Sequence, residues 1–437
     1  MNIGVPGTEA SGKLIDIERP PIVETAVLGR LVLPSDSDRE VRESLDEMKR
    51  LAWTAGADVA CTFVQRRARP CPATLIGAGK AAEMKAAVDE TGADVVLFDS
   101  DLSPGQAVNL EKILGVKVVD RTQLILDIFA QRAQTNEGKH QVELAQLQYM
   151  LPRLAGRGSV MRQQGGIGVR GPGEQKLEVD RRVIRRRIQR LEEEIENIRK
   201  SRRVQRRRRA EGAIGTVALV GYTNAGKSSL LNALAGADVF VENKLFATLD
   251  PRARRCLLPS QREAVLTDTV GFIRRLPHSL VAAFRATLEE VAEAALLLVV
   301  ADAADPAVGD QIQAVYDVLA EIHAMDKPRI VVFNKADIAD RDHLRQLLWG
   351  SGTRMAVSAQ TGEGLPELLA EVDKQLAADF RCVRLSIPHH EAGVLARIHR
   401  TGRILKQEYA GEAVLVEAEI DPSLEWIVAA YRVAEAG

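Results

Sequence analysis

The chain has 437 residues, 46% hydrophobic and 27% charged, a soluble globular composition long enough for two to four compact units. Lys plus Arg number 59 and Asp plus Glu 60, so net charge points to neither nucleic acid nor membrane, and only its local distribution is informative. Cys61, Cys71, Cys256 and Cys382 lack Cys-x-x-Cys spacing, which argues against a zinc site or a disulfide framework and fits a reducing, cytoplasmic setting.

Residues 1–21 carry no apolar core of the kind found in secretory signals and read as a flexible tail. No later run is apolar for long enough to span a bilayer, so membrane insertion is not expected. From 22 to 134, β-rich runs (TAVLGRLVL, ADVACTFV, ATLIGAG, ADVVLF, VKVV) alternate with amphipathic stretches such as REVRESLDEMKRLAWTAG. That alternation predicts an N-terminal α/β domain with a partly parallel sheet.

Residues 135–212 change character. EGKHQVELAQLQYML places Leu144, Leu147 and Leu151 on one helical face, and Pro152 is expected to end that helix. A second helix starts near Glu174 and carries Leu177, Ile184, Ile188, Leu191, Ile195 and Ile198 at coiled-coil steps. Two such helices predict a long antiparallel hairpin arm projecting roughly 50 Å. Its tip would be LAGRGSVMRQQGGIGVRGPG, where Arg157, Arg162 and Arg170 sit among glycines directly after Arg153, and these four arginines are candidate RNA contacts. Arginine stays concentrated as far as Arg209. Glu192, Glu193, Glu194 and Glu196 can neutralise part of it internally, as on any solvated helix face, and the remainder suits phosphate.

Between 213 and 380, strands (TVALVG, REAVLTDTV, AALLLVVAD, RIVVFNK) are nearly all apolar, as in a parallel sheet covered on both faces. Residues 381–437 read as a small C-terminal α+β domain. The fold class is thus α/β and multidomain: an N-terminal α/β domain, the helical arm, a mostly parallel P-loop domain and the small C-terminal unit.

The chemistry is written in the third of these. Gly221, Tyr222, Thr223, Asn224, Ala225, Gly226, Lys227 and Ser228 form Gly-x-x-x-x-Gly-Lys-Ser between a strand and a helix that continues with Ser229. Backbone N–H groups there can wrap phosphates, Lys227 can neutralise β and γ oxygens, and Ser228 can ligate Mg2+. Phe246, Ala247, Thr248, Leu249 and Asp250 supply a second segment, with the Thr248 hydroxyl as a further magnesium ligand. Asp268, Thr269, Val270 and Gly271 supply a third: Asp268 holds the magnesium shell and the Gly271 N–H meets the γ-phosphate.

Asn334, Lys335, Ala336 and Asp337 end a strand, and the Asp337 carboxylate can accept from guanine N1–H and the 2-amino group, a pair of donors adenine lacks. Ser358 and Ala359 would close over the base. The expected ligands are therefore GTP or GDP with Mg2+, and the groups nearest the reacting phosphate are Lys227, Thr248, Gly271 and Asn224. Phe272 stands where Ras-like proteins place a water-orienting Gln, which leaves the chain without that side chain.

The chain resembles the HflX family of translational GTPases. The resemblance rests on QTNEGKHQVELAQLQYMLPRL, GGIGVRGPGEQKLEVDRR, LFATLDPRARR and DTVGFIRRLPHSLVAAFRATLEE beside the nucleotide motifs, and it covers nearly all of the chain after the tail. It implies a GTPase that binds the large ribosomal subunit and its RNA, acting in rescue or splitting of stalled ribosomes, as a monomer. It implies that Phe272 is a family trait, with slow intrinsic turnover and a partner or backbone group positioning water. It further implies ATP binding by the N-terminal domain, although the sequence holds no second phosphate loop. In some related GTPases an asparagine matching Asn224 helps to hold K+; the other reading is an Asn tolerated in a tight loop. Two other functions stay open: a GTP-gated RNA-binding or chaperone module, and a GTPase coupled to RNA modification.

Overall fold

The computed structural model describes residues 24–161, 172–210, 215–236, 245–246, 252–273, 285–378 and 380–433, with side chains at 155–161, 172–177, 202–210, 285–287 and 423 left aside. The expected tail, Thr248 with its neighbours Ala247, Leu249 and Asp250, and the tip residues Arg162 and Arg170 lie outside the described residues, as does the side chain of Arg157. Two compact units emerge. One takes in the described residues up to Ser100 together with Asn109–Val119; the other takes in Asp101–Val108 and the described residues from Asp120 onward.

In the first unit, β1 (Glu24–Val32) is paired in parallel with β2 (Ala57–Arg66) on one side and β3 (Val95–Phe98) on the other, and β4 (Lys117–Asp120) completes the order β2-β1-β3-β4. Helix α1 (Asp38–Ala55) opens on a capping box, in which Ser37 and Glu40 satisfy each other's backbone N–H, and stops at Gly56, whose φ of 94° suits a residue without Cβ. The stretch ATLIGAG, expected as a strand, is a turn instead. Leu75 adopts φ 63° opposite Cys71, and Gly77 then caps α2 (Ala78–Thr91). Two glycines within three residues favour turn and cap over a strand, outweighing the short apolar run. Helix α3 (Pro104–Leu114) precedes β4.

The second unit begins with α4 (Arg121–Arg132), then α5 (Asn136–Met161) and α6 (Pro172–Ala210). Leu144 packs with Leu191 and Ile195, flanked by Leu147 and Ile188, so the predicted seams do meet. Arg187 makes two 2.7 Å bonds to Glu143, and His140 lies 3.6 Å from Glu194. Early residues of α5 thus face residues from the middle of α6, which makes the pair antiparallel.

Two expectations for this region are corrected. Pro152 does not end the first helix, which runs on to Met161. A proline inside a helix costs about 3 kcal/mol, but Tyr149 and Arg153 on either side are anchored by tertiary bonds that offset the local penalty. For the same reason Arg153 is not a free cation of the tip. Its Nη2 donates to Asp120 at 2.7 Å and to the Leu102 carbonyl at 2.8 Å, and its guanidinium lies 3.4 Å from the Tyr149 ring centre. Asp120 is buried and also accepts from the Tyr149 hydroxyl and the Gln123 N–H, so four donors converge on it once the Leu102 N–H is included. A buried carboxylate needs such saturation. Among these surroundings the Tyr149 phenol is pushed up from its ordinary pKa, by burial first and by Asp120 next.

A six-stranded sheet follows, in the order β10-β9-β8-β5-β7-β6. Its strands are β5 (Gly215–Gly221), β6 (Arg252–Leu257), β7 (Glu263–Asp268), β8 (Leu296–Asp302), β9 (Arg329–Asn334) and β10 (Thr353–Ala356). All neighbours are parallel except β6 with β7. Helices α7 (Lys227–Leu234) and α11 (Leu365–Leu376) cover one face, where Leu219, Leu298 and Val332 meet Leu230 and Val372; α8 (Arg285–Glu293) and α9 (Val308–Glu321) cover the other, where Val220, Val299 and Phe333 meet Leu288 and Val315. A short α10 (Arg341–Leu348) is capped by Asp340. Strand β6, an arginine-bearing edge, was not expected as a strand, since its sequence has neither a continuous apolar run nor clean alternation.

The C-terminal part is a three-stranded antiparallel sheet, β11 (Arg381–Pro388), β13 (Ala413–Ile420) and β12 (Arg403–Ala410) in that spatial order. Helix α12 (Ala392–Thr401) buries Ile398 against Leu385, Val416 and Ala418 of that sheet. No helix among the described residues is long and apolar enough to cross a membrane.

Candidate functional site

Strand β5 lies between β7 and β8 in the sheet, and its carboxyl end turns directly into α7. Glycine is required twice in that turn. A Cβ on Gly221 would collide with the Val300 carbonyl, and one on Gly226, at φ 87°, would collide with the Asn334 amide. Asn224 is exposed at φ 63°, a left-handed conformation that asparagine tolerates better than most residues. Ala225 is buried, Ser229 is half-buried in the first turn of α7, and the buried Thr223 hydroxyl has no hydrogen-bond partner.

Lys227 is buried, and its ammonium donates to the carbonyls of Gly221 at 3.0 Å and Tyr222 at 2.9 Å, holding the positive charge inside the loop. Burial pushes its pKa down to about 8, with Asp268 pulling the other way. Gly271 is buried beside it, and a Cβ there would come to 3.1 Å of the ammonium nitrogen and 2.8 Å of the Thr223 methyl. The third segment thus closes on the lysine only because position 271 is glycine.

The Ser228 hydroxyl donates to Asp268 Oδ2 at 2.6 Å, while Asp268 Oδ1, wholly buried, has no hydrogen-bond partner. An unpartnered buried carboxylate oxygen next to a hydroxyl is a donor set that fits Mg2+ and its water shell.

At the other end of the site, Asn334 ties the loops together. Its Nδ2 donates to the Ala225 carbonyl at 3.0 Å and its Oδ1 accepts from the Ala359 N–H at 3.0 Å. Ala336 N–H reaches the Val357 carbonyl at 3.1 Å, and the Ser358 hydroxyl accepts from Thr361 N–H at 3.1 Å. Asp337 is exposed, free of any ordered secondary element. Replacing Asn334 with Ala leaves buried partners unsatisfied on two loops; a loss of about 2–4 kcal/mol in chemical denaturation is expected, with guanine-nucleotide affinity down at least roughly tenfold by titration.

Three residues expected at the nucleotide have side chains engaged within the protein. The Thr269 hydroxyl donates to the Leu219 carbonyl at 2.7 Å and serves the sheet. Phe246 is 2% exposed, and its ring packs edge-on against Phe129 of α4. Lys335, at φ 64°, extends its ammonium to Asp302 Oδ2 at 2.6 Å. The sequence reading missed Asp302; the available signal was a carboxylate at the carboxyl end of a parallel strand, level with Asn334 in the β8–β9 register. Val270 is buried between Thr269 and Gly271. Phe272 is 1% exposed in the core with Val220, Leu288 and Val291, and its backbone bonds to Gly221 and Thr223. Its ring lies in the core, and a phenyl ring offers no hydrogen-bonding group with which to orient water.

Because Asn334 makes one hydrogen-bonded unit of the phosphate loop and the base-side turns, a nucleotide is the ligand that satisfies both ends, and the class so defined is the P-loop GTPase. Three family descriptions match in succession: GTP-binding GTPase N-terminal over residues 42–130, GTP-binding GTPase Middle Region over 132–209, and 50S ribosome-binding GTPase over 216–335. A GTPase HflX from Caldanaerobacter subterraneus subsp. tengcongensis is 47% identical across 91% of this chain and 91% of its own length. One from Escherichia coli K12 is 44% identical across 92% and 95%. Among solved structures, a GTP-binding protein from Sulfolobus solfataricus in complex with GDP is similar at 25% identity and a TM-score of 0.44, over 82% of this chain and 99% of that one. The chain belongs to the HflX family of GTPases; it binds guanine nucleotide and hydrolyses GTP.

Proposed function

We propose that this GTPase is a nucleotide-controlled switch that associates with the large ribosomal subunit and acts in rescue or splitting of stalled ribosomes. Support comes from the description 50S ribosome-binding GTPase over residues 216–335 and from the α5–α6 hairpin, whose connecting residues 162–171 hold Arg162 and Arg170. The hairpin carries the reading: a long arm with an arginine- and glycine-bearing connection suits RNA phosphate better than a protein groove. The five-part division at 21, 134, 212 and 380 belongs to the same reading, as does a monomeric state.

In the site, Lys227 lends its charge to the β and γ oxygens, and the Gly271 N–H meets the γ-phosphate. Ser228, Thr248 and Asp268 would hold Mg2+, which would supply neutralisation of developing phosphate charge. Asp337 reads the base edge. With the Phe272 ring in the core, the attacking water is positioned by backbone or by the bound ribosome, so turnover by the protein alone is slow. Asn224 as a K+ holder remains compatible with its exposed position. ATP at the first unit is not part of this reading.

The test is steady-state GTP hydrolysis by the full chain with and without purified large subunits across a salt series. Stimulation of at least about tenfold is expected, with subunit binding falling steeply as salt rises. A rate indifferent to the subunits would favour the GTP-gated chaperone reading.

A further inference from the structure

Helix α4 carries Phe129 on a buried face and stands outside the six-stranded sheet, yet the Phe129 ring centre lies 4.6 Å from that of Phe246, at an interplanar angle of 76°. That is an edge-to-face pair, the geometry aromatic rings prefer. Both rings are buried, at 1% and 2% exposure. Phe246 also holds φ 55°, a left-handed conformation that a bulky residue keeps only when its surroundings over-determine it. In sequence Phe246 stands two positions before Thr248, the residue read above as a magnesium ligand.

The other end of α4 is fixed as well. Asp120 caps the helix through Gln123 N–H and binds Tyr149 and Arg153 of α5 through the same carboxylate. Twelve helical residues span about 18 Å and do not bend readily. A rigid rod with one end on Phe246 and the other on the arm helix has two coupled ends, so Phe246 cannot move without breaking the ring pair or displacing the rod.

We infer that Phe129 is a positioning residue for the GTPase site, acting through Phe246, and that α4 transmits the nucleotide state to the α5 arm at Tyr149 and Arg153. The inference rests on the proposed switch, and it names the element that carries the signal. Nothing in it requires Phe129 to touch nucleotide.

Hydrogen exchange on the full chain tests it, comparing GDP with a non-hydrolysable GTP analogue in the wild type and in Phe129→Leu. In the wild type, backbone exchange around Leu245–Phe246 and around Tyr149–Arg153 should both differ between the two nucleotides. In Phe129→Leu the first difference should persist and the second should shrink at least threefold. GDP affinity should stay within twofold while affinity for the GTP analogue falls three- to tenfold, a split that general destabilisation would not give. Phe129→Met, whose unbranched, adaptable side chain fills irregular gaps better, serves if Phe129→Leu does not fold. No nucleotide dependence around Phe246 in the wild type would sink the switch reading itself. A full dependence around Tyr149–Arg153 in the folded variant would overturn the inference and leave the switch intact.

Discussion

Replacing Asp337 with Asn is expected to lower GTP affinity by roughly 10^3-fold and to raise affinity for xanthosine triphosphate by a comparable factor. On the proposed reading the carboxylate accepts two hydrogen bonds from guanine, at N1–H and at the 2-amino group. An asparagine offers one acceptor and one donor, so its amide N–H would oppose the 2-amino group. Xanthine carries a carbonyl at that position and restores the match. About 4 kcal/mol is reasonable for a mismatched donor pair at a site built to hydrogen-bond its substrate. The fold should be indifferent, because Asp337 is exposed while the neighbouring Asn334 carries the bonds between loops. Competition titration with GTP, XTP and ATP reads the result; a variant that loses GTP without gaining XTP would mean that Asp337 does not face the base.

Lys227→Ala should reduce GTP hydrolysis by about 10^2- to 10^3-fold, the range found when a preorganised group that stabilises transition-state charge is removed. Triphosphate affinity should fall further than diphosphate affinity, since the lost charge serves the γ oxygens as well as the β. The effect on the free protein should be small. Removing an ammonium that burial disfavours and losing its two bonds to the Gly221 and Tyr222 carbonyls act in opposite directions. Melting temperature without nucleotide would therefore move little, while the protection that GTP normally gives would vanish. Lys227→Arg should not rescue activity: a Cβ at Gly271 would already stand 3.1 Å from the ammonium, which leaves no room for a planar guanidinium. Single-turnover hydrolysis together with thermal shifts in GTP and GDP checks both halves.

Phe272 shows why the position after Asp-x-x-Gly has to be read through its packing. A buried phenylalanine whose N–H and carbonyl stitch the third segment to the phosphate loop holds Gly271 against Lys227, and the water-orienting duty has to lie elsewhere.

The sequence by itself determined the phosphate loop, the Asn-Lys-x-Asp turn, the parallel sheet and the antiparallel arm. Each is set by local rules: glycine where no side chain fits, apolar runs long enough for buried strands, leucine and isoleucine at coiled-coil steps. What only the tertiary structure decided were the places where a distant partner overrode the local rule. Pro152 stays within a helix because Asp120 holds Tyr149 and Arg153 on either side of it. Arg153 is a structural cation, Phe246 a core residue and Lys335 a partner of Asp302, since in each case the deciding group lies tens of residues away in the chain. Hydrophobic periodicity and glycine spacing act over a few residues and are visible in one dimension, whereas charge pairing and ring packing depend on which surfaces meet, and that is fixed only once the chain has folded.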